Sequence, residues 1–140
     1  KEPEAYFLNG SHDVGTLRPA GGATTGGSTN HIGATSSLAV GTWTHLALTY
    51  NGSTLQLYVN GVLAGSRGIT GSVQATTTPL WIGGNNPYGE YFQGLIDEVR
   101  VYNRALSLAE IQTDMATPVG PPAAPDTTAP TVPSGLGATG

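Results

Sequence analysis

Two Asn-Gly dipeptides, Asn51-Gly52 and Asn60-Gly61, each lie between runs of alternating polarity, and they dictate much of what this chain can become. A type I′ turn needs positive φ at both central residues, which Asn and Gly tolerate best, and its twist matches that of paired strands. Before the first turn, Thr42–Tyr50 sets Thr44, Leu46, Leu48 and Tyr50 on one face and Trp43, His45, Ala47 and Thr49 on the other. Between the turns, Ser53–Val59 places Leu55, Leu57 and Val59 together, with Gln56 and Tyr58 opposite. Val62–Ala64 resumes after the second turn. The pattern predicts an antiparallel meander whose apolar face is built from Leu46, Leu48, Leu55 and Leu57.

Alternation returns further on. Leu80–Ile82, ahead of Gly83-Gly84, reads as a strand, and Phe92–Tyr102 as a longer one. In the latter, Leu95, Asp97, Val99 and Val101 share the face expected to be interior, while Ile96, Glu98, Arg100 and Tyr102 take the other. Ser107-Leu-Ala-Glu110 is a capping box, with Leu108, Ile111 and Met115 at helical spacing, so a short helix is expected there. Upstream, Ala5–Leu8 reads as a strand, with Val14–Arg18 and Asn30–Ile32 as further candidates. Gly21–Ser28 is so rich in Gly and Thr that neither period emerges.

Composition agrees with an all-β module. Gly is 21 of 140 residues and charged residues are only 10%, a profile of many tight turns and not of a helical bundle. The last 23 residues, Pro118–Gly140, hold six of the ten prolines and one charge, Asp126. Pro118–Pro125 is therefore a stiff linker, and residues 1–117 remain for one domain. Cys is absent, which excludes disulfides and thiolate metal sites. Net charge is −4, and the five basic residues are scattered, which argues against a nucleic-acid partner. No apolar run is long enough to span a membrane. A start at Lys1, without Met or signal peptide, is expected of a piece of a longer protein.

Trp43–Gly61 (WTHLALTYNGSTLQLYVNG) and Phe92–Leu106 (FQGLIDEVRVYNRAL) resemble the LamG-like jelly-roll family of concanavalin A-like domains. The resemblance covers roughly Ala5 to Met115 and implies an antiparallel jelly-roll β-sandwich, all-β, with one short C-terminal helix. It also implies that the first strands, which should precede Lys1, are missing. Asp126–Thr139 (DTTAPTVPSGLGAT) looks like the opening of a bacterial fibronectin type III-like domain, placing a truncated second domain at 126–140. A secreted or cell-surface multi-domain bacterial protein, with neighbouring domains of the same chain as partners, follows from that resemblance.

The candidate sites have competing readings. Related jelly rolls often hold a structural Ca²⁺ at the sandwich rim, which makes Asp97 a candidate metal ligand. Against this, Asp97 could accept backbone N–H bonds at a strand end or be neutralised by Arg100 or Arg104, since Ca²⁺ wants six to eight oxygens. Glu98 and Arg100, on the other face, read as a surface pair. The stretch Gly83–Tyr91 concentrates Asn85, Asn86, Tyr88, Glu90 and Tyr91 next to Trp81. Sugars are bound by aromatic faces under their C–H groups with amides and carboxylates on the hydroxyls, so this is the candidate glycan surface. Its alternative is an ordinary hairpin connection built from turn residues. Trp43 is expected to pack in the core or on a sheet face, and His45 to be a packed or hydrogen-bonded imidazole.

Concanavalin A-like sandwiches include laminarinase-type glycosidases, but retaining hydrolysis needs two carboxylates about 5 Å apart. The corresponding Glu-x-Asp-x-x-Glu run is absent, so no catalytic residue is expected. The expected role is a non-catalytic carbohydrate-binding ancillary module with a polysaccharide or glycan partner. A structural or protein-adhesion spacer is the alternative, and part of a glycoside hydrolase is a third.

Overall fold

The computed structural model describes residues 4–11, 18–85 and 89–120. Two three-stranded antiparallel sheets form its centre. The first takes the order β1-β2-β3 from Tyr6–Asn9 (β1), Ala20–Thr25 (β2) and Ser28–Gly33 (β3). The second takes the order β4-β5-β6 from Leu46–Tyr50 (β4), Thr54–Val59 (β5) and Val62–Gly68 (β6). A two-stranded hairpin, Gly84–Asn85 (β7) with Glu90–Tyr91 (β8), and one helix, Leu108–Ala116 (α1), complete the described elements.

The meander forms as the alternation requires, with Leu46 opposite Val59, Leu48 opposite Leu57 and Tyr50 opposite Leu55. Its two turns differ. Asn60 and Gly61 both have positive φ, 49° and 69°, as a type I′ turn demands. At the first turn only Gly52 does, at φ 92°. There Asn51 accepts hydrogen bonds from Ser53 N–H (3.0 Å) and Thr54 N–H (2.8 Å) through Oδ1, so a side chain closes a three-residue loop. The third strand also runs on to Gly68, longer than its hydrophobic pattern suggests. A register shift between Leu57 and Tyr58 breaks strict alternation, and Tyr58 is buried on what the sequence makes the polar side.

The sheets face each other across Ala23, Leu55 and Ile69, with Ile32, Leu48 and Tyr50 packed around them. Leu55 and Leu57 are 0% exposed, and complete burial of such a side chain stabilises by roughly 1.5–3 kcal/mol. The undecided Gly21–Ser28 stretch belongs largely to β2, the buried centre of the first sheet. Its glycines explain why no pattern was visible. A Cβ on Gly21 would stand 2.5 Å from Leu48 Cδ1, so the facing leucine occupies the space a side chain would need. The chain then returns from the second sheet to the first: Gln74 N–H donates to Thr24 O (2.8 Å), and Tyr50 Oη donates to Gly71 O (2.6 Å).

Helix α1 starts at the expected capping box. Ser107 N–H donates to Glu110 Oε2 at 2.8 Å while Ser107 Oγ accepts from Glu110 N–H at 3.4 Å. Of its three spaced apolar residues, only Ile111 is buried. Gln112 Nε2 donates to Gly61 O at 3.1 Å, docking the helix against the β5–β6 turn.

Two strand expectations fail. Leu80–Ile82 and Phe92–Tyr102 are not paired strands, and Glu98 sits at φ 54°, which interrupts extension in the middle of the longer run. Val14–Leu17 lies outside the described residues, as does the chain beyond Gly120, including most of the Pro118–Pro125 linker and the fibronectin-like stretch 126–140.

Candidate functional site

The β7–β8 hairpin forms because Gly83, at φ 73°, and Gly89, at φ 65°, supply conformations that other residues adopt only with strain. Gly84 pairs with Tyr91 and Asn85 with Glu90, and Phe92 N–H closes onto Gly83 O at 3.0 Å. Gly84 also seats the aromatic ring opposite it: a Cβ there would lie 3.0 Å from Tyr91 Cδ1. The Tyr91 ring therefore lies over bare backbone across the hairpin while 69% of the residue stays exposed. Trp81, just before the hairpin, is 47% exposed. Sequence reasoning singled out Tyr91 but missed Gly84 as its seat; a Gly directly across from an aromatic in a short hairpin is the signal that could have found it.

Of the six candidate glycan-binding residues, Glu90 and Tyr91 form β8 of this exposed hairpin, and Trp81, also exposed, lies three residues before β7. Asn85 lies on β7 at the same turn. Asn86 and Tyr88 fall outside the described residues.

Asp97 does not take the interior position its parity suggested. It is exposed, because Phe92–Tyr102 joins no sheet and so has no buried face, and its Oδ1 accepts the N–H of Glu98 at 2.8 Å. That is one of the two alternatives to a metal. The other, neutralisation by arginine, is not observed: Arg100 binds Glu98 (3.1 Å) and Asp114 (3.0 Å), and Arg104 binds Glu110 (2.7 Å). Among the described residues, no three His, Asp or Glu side chains come together in a way that could hold a metal ion. Asp97 by itself offers at most two of the six to eight oxygens Ca²⁺ needs. The residues described do not fit that ion.

A polar network fastens the C-terminal run to α1. Arg100 also donates to Thr117 O, and Tyr102 Oη donates to Asp114 Oδ2 at 2.6 Å. The hydrogen bond from Arg104, together with those from Ser107, holds the Glu110 carboxyl well below its usual range, at about 2. The expected Glu98–Arg100 pair is present, but Asp114, its bridge to the helix, carried no recognisable sequence signal. Beside this network, His45 is half-buried, with Nδ1 inaccessible and unpaired among the described residues. Burial first, and Arg100 second, lower its pKa against an opposing pull from Asp114. Its backbone is held by the second turn, where His45 N–H donates to Asn60 Oδ1 at 2.9 Å. Trp43, expected to be packed, is instead 66% exposed, because the strand it was assigned to begins only at Leu46.

With two facing antiparallel sheets and a short capped helix in view, the class is an antiparallel β-sandwich of concanavalin A-like type. The family profile Laminin_G_3, described as the Concanavalin A-like lectin/glucanases superfamily, matches residues 5–112, and the chain belongs to that superfamily. Among solved structures it is similar to the 2.1 Å crystal structure of an S-layer domain-containing protein (residues 221–444) from Clostridium thermocellum ATCC 27405. Identity is 31% and the TM-score is 0.51, over 71% of this chain and 52% of that one. The chain thus spans about half the length of that structure. No curated protein matches it.

Proposed function

We propose that this domain is a non-catalytic carbohydrate-binding module of a secreted or surface multi-domain protein, and that the β7–β8 hairpin carries the binding. The observation behind the reading is the exposed Tyr91, its ring against Gly84 and Glu90 next to it in β8, with the exposed Trp81 shortly before the hairpin. A flat aromatic face stacks against sugar C–H groups, and a neighbouring carboxylate accepts from hydroxyls. Membership of a lectin and glucanase superfamily supports the ligand class. With five basic and nine acidic residues in the chain, a neutral polysaccharide is favoured over a sulfated one.

The non-catalytic half of the reading rests on what the carboxylates already do. Asp97, Glu98, Glu110 and Asp114 are each tied to a neighbouring backbone N–H, arginine or tyrosine. The test is retention of the wild-type chain and of Trp81→Ala and Tyr91→Ala in affinity electrophoresis through soluble β-glucan and xylan. Each variant should lose roughly threefold to tenfold in affinity, as expected for one aromatic stacking contact, with little change in melting temperature. Equal retention by the variants would move the site elsewhere. No retention by the wild type would favour a structural or adhesion module, the reading that the similarity to an S-layer domain-containing protein supports.

A further inference from the structure

Three Asn-Gly dipeptides occur in the chain, Asn9-Gly10, Asn51-Gly52 and Asn60-Gly61, and the fold treats them differently. The backbone nitrogen after an asparagine can attack that residue's own side-chain carbonyl and close a five-membered ring. Glycine in the next position allows this most readily, because no Cβ stands in the way. Attack needs a polarised Cγ=O, a free nitrogen beside it and a leaving amide that nothing holds.

At Asn51 all three meet. Its Oδ1 accepts from Ser53 N–H (3.0 Å), Ser53 Oγ–H (3.0 Å) and Thr54 N–H (2.8 Å). Donors so placed polarise the carbonyl and stabilise the oxyanion that attack creates on it. The same bonds fold the side chain back over its own peptide, towards the Gly52 nitrogen. Gly52 is exposed, and among the described residues neither its N–H nor Asn51 Nδ2 makes a hydrogen bond. The other two sites are closed. Asn9 ends β1 opposite Ala20, its backbone drawn straight by the ladder, and Gly10 is partly covered. Asn60 N–H donates to His45 O at 2.8 Å, and its Oδ1 accepts from His45 N–H at 2.9 Å. Gly61 is buried against Gln112 and Met115 of α1.

We propose that Asn51 is a self-modifying position, primed for deamidation by the β4–β5 turn while the fold protects Asn9 and Asn60. The Gly52 nitrogen bonds to Asn51 Cγ and loses its proton, the Cγ–Nδ2 bond breaks, and Nδ2 leaves as ammonia with that proton. Water then opens the cyclic imide. Opening at Cγ leaves aspartate, and opening at the backbone carbonyl leaves isoaspartate, whose main chain is one carbon longer. Either product adds one negative charge to a net of −4. Aspartate keeps the accepting oxygen and so the turn. Isoaspartate lengthens the link between β4 and β5, whose Leu48 and Leu55 sit in the core.

Tandem mass spectrometry after proteolysis at acidic pH tests this on the full chain, aged in mildly alkaline buffer with and without denaturing guanidinium chloride. Each site is followed by its gain of acid for amide. Dividing the native rate by the denatured rate removes what sequence neighbours contribute. That ratio should be roughly tenfold or more higher at Asn51 than at Asn9 or Asn60, where reaction waits on local opening. Ser53→Ala deletes the hydroxyl donor and spares both backbone donors, so it should lower the Asn51 ratio roughly threefold, the worth of one exposed hydrogen bond. Ratios that agree across the three sites, a native Asn51 that does not react, or an Asn51 ratio indifferent to Ser53→Ala would overturn the proposal.

Discussion

The β4–β5–β6 meander and the Phe92–Tyr102 run carry the same kind of sequence signal and end in opposite states. Both alternate apolar and polar residues. In the meander each strand finds its partner a few residues away, across Asn51–Ser53 or Asn60-Gly61, and its leucines are covered by β2 and β3. The later run follows the β7–β8 hairpin directly, yet pairing stops where Phe92 N–H reaches Gly83 O, and its aliphatic residues stay in solvent. Alternation and a neighbouring turn therefore specify that a segment can be a strand; the packing that β2 and β3 give the meander, and that the later run lacks among the described residues, goes with whether it pairs.

That contrast is open to direct attack. The largest expected effect is on equivalent truncations in the two regions. Leu57→Ala should cost about 2–5 kcal/mol, because a fully buried leucine leaves a cavity. Leu95→Ala, in dilute solution, should stay within about 0.5 kcal/mol, as surface changes do. Urea denaturation of both variants gives the comparison, and similar losses would mean that Leu95 is packed after all. A smaller effect is expected where the C-terminal run is fastened. Ser107→Ala removes the cap and half of the reciprocal pair with Glu110, and should lower stability by about 1 kcal/mol. Thermal melts showing no change would place α1 outside the cooperative unit.

Smallest of all is the expected pH response of His45. Its folded pKa lies below its unfolded one, so the unfolded chain takes up the proton first as pH falls. Its contribution is therefore complete above about pH 6.5 and is lost as pH drops through the lower folded value. Between pH 7.5 and 5 the melting temperature of the wild type should fall slightly more steeply than that of His45→Gln. Parallel slopes would show that the imidazole is equally solvated in both states.

Much of this was legible in the residues. Asn60-Gly61 announced its turn because both residues must adopt positive φ, and Ser107 with Glu110 announced the helix start because their bonds are local. Leu55 and Leu57 declared the core by spacing. Gly21 and Gly22 did not declare β2, because what makes them necessary are the facing Leu48 and Phe7 side chains, distant in sequence. For the same reason Asp97 could not be placed: its burial depended on a sheet partner that alternation by itself does not supply. At the hairpin and just before it, Trp81, Glu90 and Tyr91 were recognisable by type, whereas the ring's seat on Gly84 depends on cross-strand register.

Residue-resolved hydrogen exchange at submicromolar concentration tests the central contrast most directly. The amides of β2 and β5, paired on both edges, should be the slowest to exchange, and those of Gln93–Tyr102 should exchange nearly as fast as an unfolded peptide. Protection of Gln93–Tyr102 matching that of β5 in the isolated chain would contradict the account, since it would require a strand pairing that the fold described here does not contain.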